Sequence, residues 1–162
     1  MRSKMSRAKA LCLVFLFCLA LSGCVRAEKV EGKVDVPPFT IVIDGNEYTE
    51  SAFADLPIYE CTATSTNRYG TEETYVYTGY CLSDVLDTAG VTGEHGVTTV
   101  GADGYEVDLT AKETEDSTTL LAFYRDGKTS AEDGTVFVVP CKSDFSPDYA
   151  KVVEEIVVNE AA

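Results

Sequence analysis

The chain has 162 residues, of which 27 are acidic and 13 basic, giving a formal charge of −14 at pH 7. That balance excludes nucleic acid as a partner, because a strongly negative surface is repelled by a phosphate backbone. The length suits a single domain that buries a core of its own.

Residues 1–9 hold Arg2, Lys4, Arg7 and Lys9 and no acid, and Ala10 to Leu21 is apolar apart from the soft cysteines Cys12 and Cys18. This is the order of a signal peptide, and the run is shorter than the roughly 20 residues a membrane-spanning helix needs. It closes on Leu21-Ser22-Gly23-Cys24, which resembles a bacterial lipobox. Residues 1–23 are therefore expected to be a lipoprotein signal peptide. Cys24 is expected to carry the lipid that anchors the exported chain to the bacterial cell membrane, facing away from the cytoplasm. The signal takes 4 of the 13 basic residues and none of the 27 acidic ones, so residues 24–162 keep 9 basic groups and a formal charge of −18. Such a surface keeps an exported domain dissolved and favours basic partners or cations.

Of the 6 cysteines, Cys61, Cys81 and Cys141 remain once the signal and the lipidated Cys24 are set apart. In an oxidising compartment they would form one disulfide, by any of three pairings, and leave one thiol; under reducing conditions all would stay free. A leftover thiol is a ligand, a reactive group or a small buried apolar residue. No pair has the Cys-x-x-Cys spacing of a redox motif or a structural zinc site.

Residues 24–38 are polar after the cysteine and end in Pro37-Pro38, which predicts a flexible tether and a domain over 39–159. Phe39 to Ile43 reads as a strand, Asp44-Gly45 as a tight turn and Glu47 to Thr49 as its return. Thr49 or Ser51 would cap a short helical turn that Pro57 stops. Ile58 to Ser65 and Glu72 to Thr78 are strands rich in Thr and Tyr, which fit a half-exposed pleated surface. Ser83 is expected to cap a helix with Leu82, Val85, Leu86 and Ala89 on one face and Gly90 as its left-handed stop. His95 reads as a solvated loop residue. Val97 to Val100 and Tyr105 to Leu109 form a hairpin about Asp103-Gly104, and Thr110 to Asp116 is a second short helix. Thr119 to Tyr124, Thr135 to Val139 and the last part of Tyr149 to Asn159 are further strands. Short strands interleaved with short helices predict an α+β domain with a compact mixed sheet.

The ordered motifs carry a resemblance. Tyr77-Thr78-Gly79-x-x-Leu82-x-Asp84-Val85-Leu86-x-x-Ala89-Gly90-Val91 is followed by Gly101-Ala102-Asp103-Gly104-Tyr105, Leu120 to Phe123 with Asp126-Gly127-Lys128, Val138-Val139-Pro140, and Lys151 before Ile156-Val157-Val158. In order and approximate spacing, from Phe39 to Val158, this resembles the molybdopterin-binding domain of the sulfite oxidase family. The resemblance implies that compact fold, with Cys61 as the thiolate ligand of molybdenum and Asn67, Arg68 and Lys151 holding the pterin. A soft thiolate suits such a metal and must be deprotonated to bind it. The chain departs from the pattern at Tyr77, where tryptophan is usual, and at Cys141, where a glycine opens the pterin loop. Beyond Arg26 in the tether, the exported part has only Arg68 and Arg125 as arginines, few for a phosphate-bearing cofactor. The favoured expectation is a non-catalytic envelope lipoprotein that binds a ligand or a redox or envelope protein partner. The alternative is a molybdenum-cofactor oxidoreductase acting by oxo transfer on a sulfite- or sulfoxide-type substrate.

Overall fold

A computed structural model describes residues 24–129 and 136–159. The expected signal peptide and the start of the predicted strand at Thr135 lie outside them. The strands are β1 (Ala27–Lys29), β2 (Thr40–Ile43), β3 (Asn46–Thr49), β4 (Ile58–Thr66), β5 (Glu72–Cys81), β6 (Val97–Gly101), β7 (Glu106–Leu109), β8 (Thr119–Arg125), β9 (Lys128–Thr129), β10 (Val136–Pro140) and β11 (Ala150–Val158). The helices are α1 (Leu82–Thr88) and α2 (Ala111–Thr114), with 3-10 turns at Glu50–Phe53 and Ser146–Asp148. The domain is thus α+β and dominated by its sheet. No helix among the described residues is long and apolar enough to cross a membrane.

The sheet runs β1-β4-β5-β8-β10-β11-β2-β3, with the β6–β7 hairpin joined to β11. Its neighbours are antiparallel except where β11 meets β2. The central strands β8 and β10 are buried on both faces, and alternation divides their side chains between two cores. Leu121, Phe123, Val136 and Val138 face the larger core, with Ile41, Ile43, Phe53, Leu82, Val85 and Ile156. Leu120, Ala122, Phe137 and Val139 face the smaller one, with Cys61, Ala63, Tyr77, Cys141 and Tyr149.

Two irregularities set which side chains reach which core. The β5–β8 register shifts between Thr78 and Gly79, which makes Phe123 the extra residue of β8 and lets Phe123 and Tyr124 both pack on the larger core; β5 keeps its alternation, with Tyr77 in the smaller core and Tyr80 in the larger. In β11, Val152 has φ +53°, and the register with β6 shifts between Val153 and Glu155. The buried positions consequently fall three apart, at Ala150, Val153 and Ile156.

Three sequence expectations need correction. Ala27–Lys29 is not tether: it pairs with β4, Ala27 opposite Cys61 and Lys29 opposite Tyr59, which satisfies backbone groups that an open edge would leave bare. Ser83 does not cap α1, because the N-cap is Cys81; β5 runs straight into the helix and leaves no loop residue for the cap. His95 is half-buried rather than solvated, with Nδ1 3.3 Å from the Asn159 carbonyl oxygen and Nε2 3.0 Å from that of Thr92. Gly90 ends α1 at φ +85° as expected.

Candidate functional site

Three of the four residues assigned to the pterin meet at one place. Asn67, Arg68 and Lys151 line a cleft of about 480 Å³ together with Tyr69, Glu73, Asp103, Tyr105, Ser146 and Tyr149. Its walls are the β4–β5 turn, the β6–β7 turn and the chain entering β11.

Each wall is fixed by local backbone chemistry. The Asn67 side-chain oxygen accepts hydrogen bonds from the backbone N–H groups of Tyr69 (2.9 Å) and Thr71 (3.1 Å), and Gly70 takes φ +80°. A short polar side chain that mimics a backbone turn is a common use of Asn. Asn67 therefore builds the turn that presents Arg68 and Tyr69, and Tyr69 is 83% exposed. On the facing turn, Asp103 Oδ1 accepts from the Tyr105 N–H at 3.0 Å, and Tyr105 is 52% exposed. Lys151 immediately precedes the β11 bulge, whose Val152 carbonyl accepts from the Ala102 N–H at 2.9 Å. The same bulge thus ties Lys151 to the β6–β7 turn. Tyr149 is buried at the cleft floor, where its hydroxyl donates to the Ser143 carbonyl at 2.9 Å and its ring meets Tyr77 edge-on at 5.9 Å. Burial first, and then the neighbouring Cys141, push the Tyr149 phenol well above its usual range.

Cys61 does not line this cleft. It is 1% exposed and sits in the smaller core among Ala63, Tyr77, Phe137, Cys141 and Tyr149. The neighbouring Cys141 thiol pulls the Cys61 pKa below its ordinary value against the opposing effect of burial. Cys141 moves the opposite way, because the neighbouring Cys61 and its own burial favour the protonated form. Arg125 does not reach the cleft either: its guanidinium lies over the rings of Tyr75 at 4.8 Å and Phe137 at 5.5 Å.

These residues do not fit a pterin-bound molybdenum with Cys61 as ligand. A ligand thiolate must face the metal, whereas Cys61 faces a second thiol inside an apolar core, with Tyr149 in that core and at the cleft floor. Arg68 and Lys151 supply the cleft's positive charge against Glu73 and Asp103, a balance poorly matched to a phosphate-bearing polyanion.

What the cleft offers is recognition: mixed charge, amide and hydroxyl groups, and aromatic rings around a concave surface. Tyr149 and Ser146 could not be assigned to it from sequence, since only the folding of the Ser143–Tyr149 segment back toward the β4–β5 turn brings them there. The chain matches no family model and no curated protein.

Proposed function

We propose that this chain is an exported lipoprotein, anchored through Cys24, whose domain is of the sulfite oxidase molybdopterin-binding type and works as a non-catalytic binding module. The observation that carries the reading is the divorce of thiol from cleft. Arg68, Lys151, Tyr69 and Tyr105 border an open cleft, while Cys61 is buried against Cys141. The cleft suits a polar ligand, or a segment of a redox or envelope protein partner, that bears a carboxylate for Arg68 and Lys151 and a flat group for the tyrosines. Tyrosine supplies contact area with a polar tip, and arginine a fork that grips carboxylates. The strong negative charge of the exported part favours a basic partner elsewhere on the surface.

The rival reading, a molybdenum-cofactor oxidoreductase, draws support from the convergence of Asn67, Arg68 and Lys151. It requires the Cys61 thiolate to leave its core and reach the cleft. Metal analysis of the protein expressed where the pterin is made separates the two. The binding-module reading expects no stoichiometric molybdenum; stoichiometric molybdenum that disappears in Cys61→Ser overturns it. In the same preparation, binding of dicarboxylates and zwitterionic dipeptides is measured by calorimetry. Any that bind should lose roughly tenfold or more in affinity in the Arg68→Ala variant, since a hydrogen bond to a charged group contributes about 1.5–3 kcal/mol.

A further inference from the structure

The sheet closes upon itself at a place that its strand order does not show. β4 and β10 are separated by β5 and β8, yet Thr66 at the end of β4 forms a parallel bridge with Phe145, and its N–H donates to the Asp144 carbonyl at 2.7 Å. The coil of β4, β5, β8 and β10 is thereby sealed by the segment that follows β10, with the smaller core inside. Cys61 stands five residues before Thr66 and Cys141 four before Phe145. The two cysteines therefore stand at nearly equal distances from the seam along their arms. Both are 1% exposed, and both belong to the smaller core.

We propose that Cys61 and Cys141 are a redox pair that closes to an intramolecular disulfide across this seam, and that Cys81 takes no part. Both thiols are free and buried in the same small cluster, so closure asks for approach within that core rather than for rearrangement of strands. Cys81 belongs to neither core cluster; at the N-cap of α1 its sulfur lies 3.3 Å from the Ser83 hydroxyl. Access is through a surface cavity of about 660 Å³, lined by Cys141 with Arg26, Glu60, Thr62 and Lys142. The oxidant is a small disulfide. One cysteine thiolate attacks a sulfur of that disulfide and releases one small thiol; the second cysteine then displaces the other small thiol from the mixed disulfide. Two protein S–H bonds are lost and one S–S bond forms. The oxidant's S–S bond is reduced to two thiols, which take up both protons and both electrons. Cys141, which lines the cavity, meets the oxidant first, and Cys61, inside the core, resolves the mixed disulfide.

The test treats the full chain with oxidised glutathione in the folded state, then unfolds, alkylates and digests it for peptide mapping. The expected product is a Cys61–Cys141 cross-linked peptide with Cys81 alkylated, reversed by dithiothreitol. The oxidised form should melt roughly 10 °C above the reduced one, because the link closes a long loop in the unfolded chain. A link that includes Cys24 or Cys81, glutathione held on single cysteines, or full alkylation of both members overturns the proposal. An unchanged melting temperature overturns its placement at the seam. Cys141→Ala must abolish the link; if that variant does not fold, Cys81→Ala must keep it.

Discussion

Among the described residues, Gly79 marks the closest approach that a single methyl group would break. A Cβ there would lie 2.2 Å from the Leu121 carbonyl oxygen and 2.5 Å from the Ala122 Cα, both backbone atoms of a central strand that has nowhere to move. Gly79→Ala is expected to destabilise the fold by about 3 kcal/mol, read as a lower urea midpoint at unchanged slope. Tyr77, on the other side of the same register shift, makes the opposite kind of statement. Its phenol is pushed up to about 12, by burial above all, with Arg125 pulling it down and Cys141 adding to the rise. A group whose folded pKa exceeds its unfolded value stabilises fully below the unfolded pKa and loses that contribution as pH rises through the folded one. Tyr77 thus supports the fold below about pH 10 and ceases to between there and about 12. The melting temperature should fall over that window, and Tyr77→Phe should lessen the fall. The fates of these tyrosines follow from spacing: Tyr75 and Tyr77 share a face, with ring centroids 6.3 Å apart, and Tyr80, three residues after Tyr77, turns to the other core. Cys61 was readable as a cysteine in a strand; that its thiol meets Cys141 was not, because the contact depends on closure of the sheet.

At the scale of elements, the turns were the most legible features. Asp126-Gly127 turns with positive φ at both residues, and the side chain of Asp126 accepts from the Val76 N–H at 2.8 Å, so this turn also binds β5. Thr110 forms a capping box: the Glu113 N–H donates to its hydroxyl at 3.3 Å, and its own N–H donates to a Glu113 carboxylate oxygen at 2.8 Å. α2 has only four residues, too few to stand on helix propensity. Its hold on the fold also runs through the Thr119 hydroxyl, which donates to the Glu113 carbonyl at 2.6 Å. Thr110→Ala should therefore cost about 1 kcal/mol, with hydrogen exchange accelerated first in α2. The edge elements were the least legible. β1 has an unremarkable polar sequence and becomes a strand because β4 offers it an unpaired edge, a tertiary cause without a local signature. Ser83 was the obvious capping residue by type, and the continuation of β5 into α1 bypassed it.

For the whole molecule the governing quantity is charge. Residues 24–162 carry −18, from 9 basic residues against 27 acidic, and among the described residues two ion pairs occur. Lys33 and Asp35 lie 3.7 Å apart with side chains 90% and 92% exposed, and Lys142 meets Asp116 at 2.7 Å. The first is too exposed to matter. In the second, burial would raise the Asp116 pKa, but hydrogen bonds from Lys142 and Thr118 outweigh it and hold the carboxyl below its usual range. One such pair does not offset the mutual repulsion of so many carboxylates. Folding gathers those charges onto a small surface, whereas the unfolded chain spreads them, so repulsion weighs more heavily on the native state. Salt screens this cost, since the Debye length falls from about 30 Å at 0.01 M to about 10 Å at 0.1 M. The melting temperature at pH 7 should rise as sodium chloride is raised across that interval. A fall would mean that attractive pairs, rather than the net charge, set the electrostatic balance. The same repulsion gives the cleft its setting: Arg68 and Lys151 are cations in a strongly negative field, which attracts ligands whose charge is locally negative but balanced by a positive group. A zwitterionic dipeptide should therefore bind more tightly than a dicarboxylate of similar size at low salt, and the gap should narrow as salt is added.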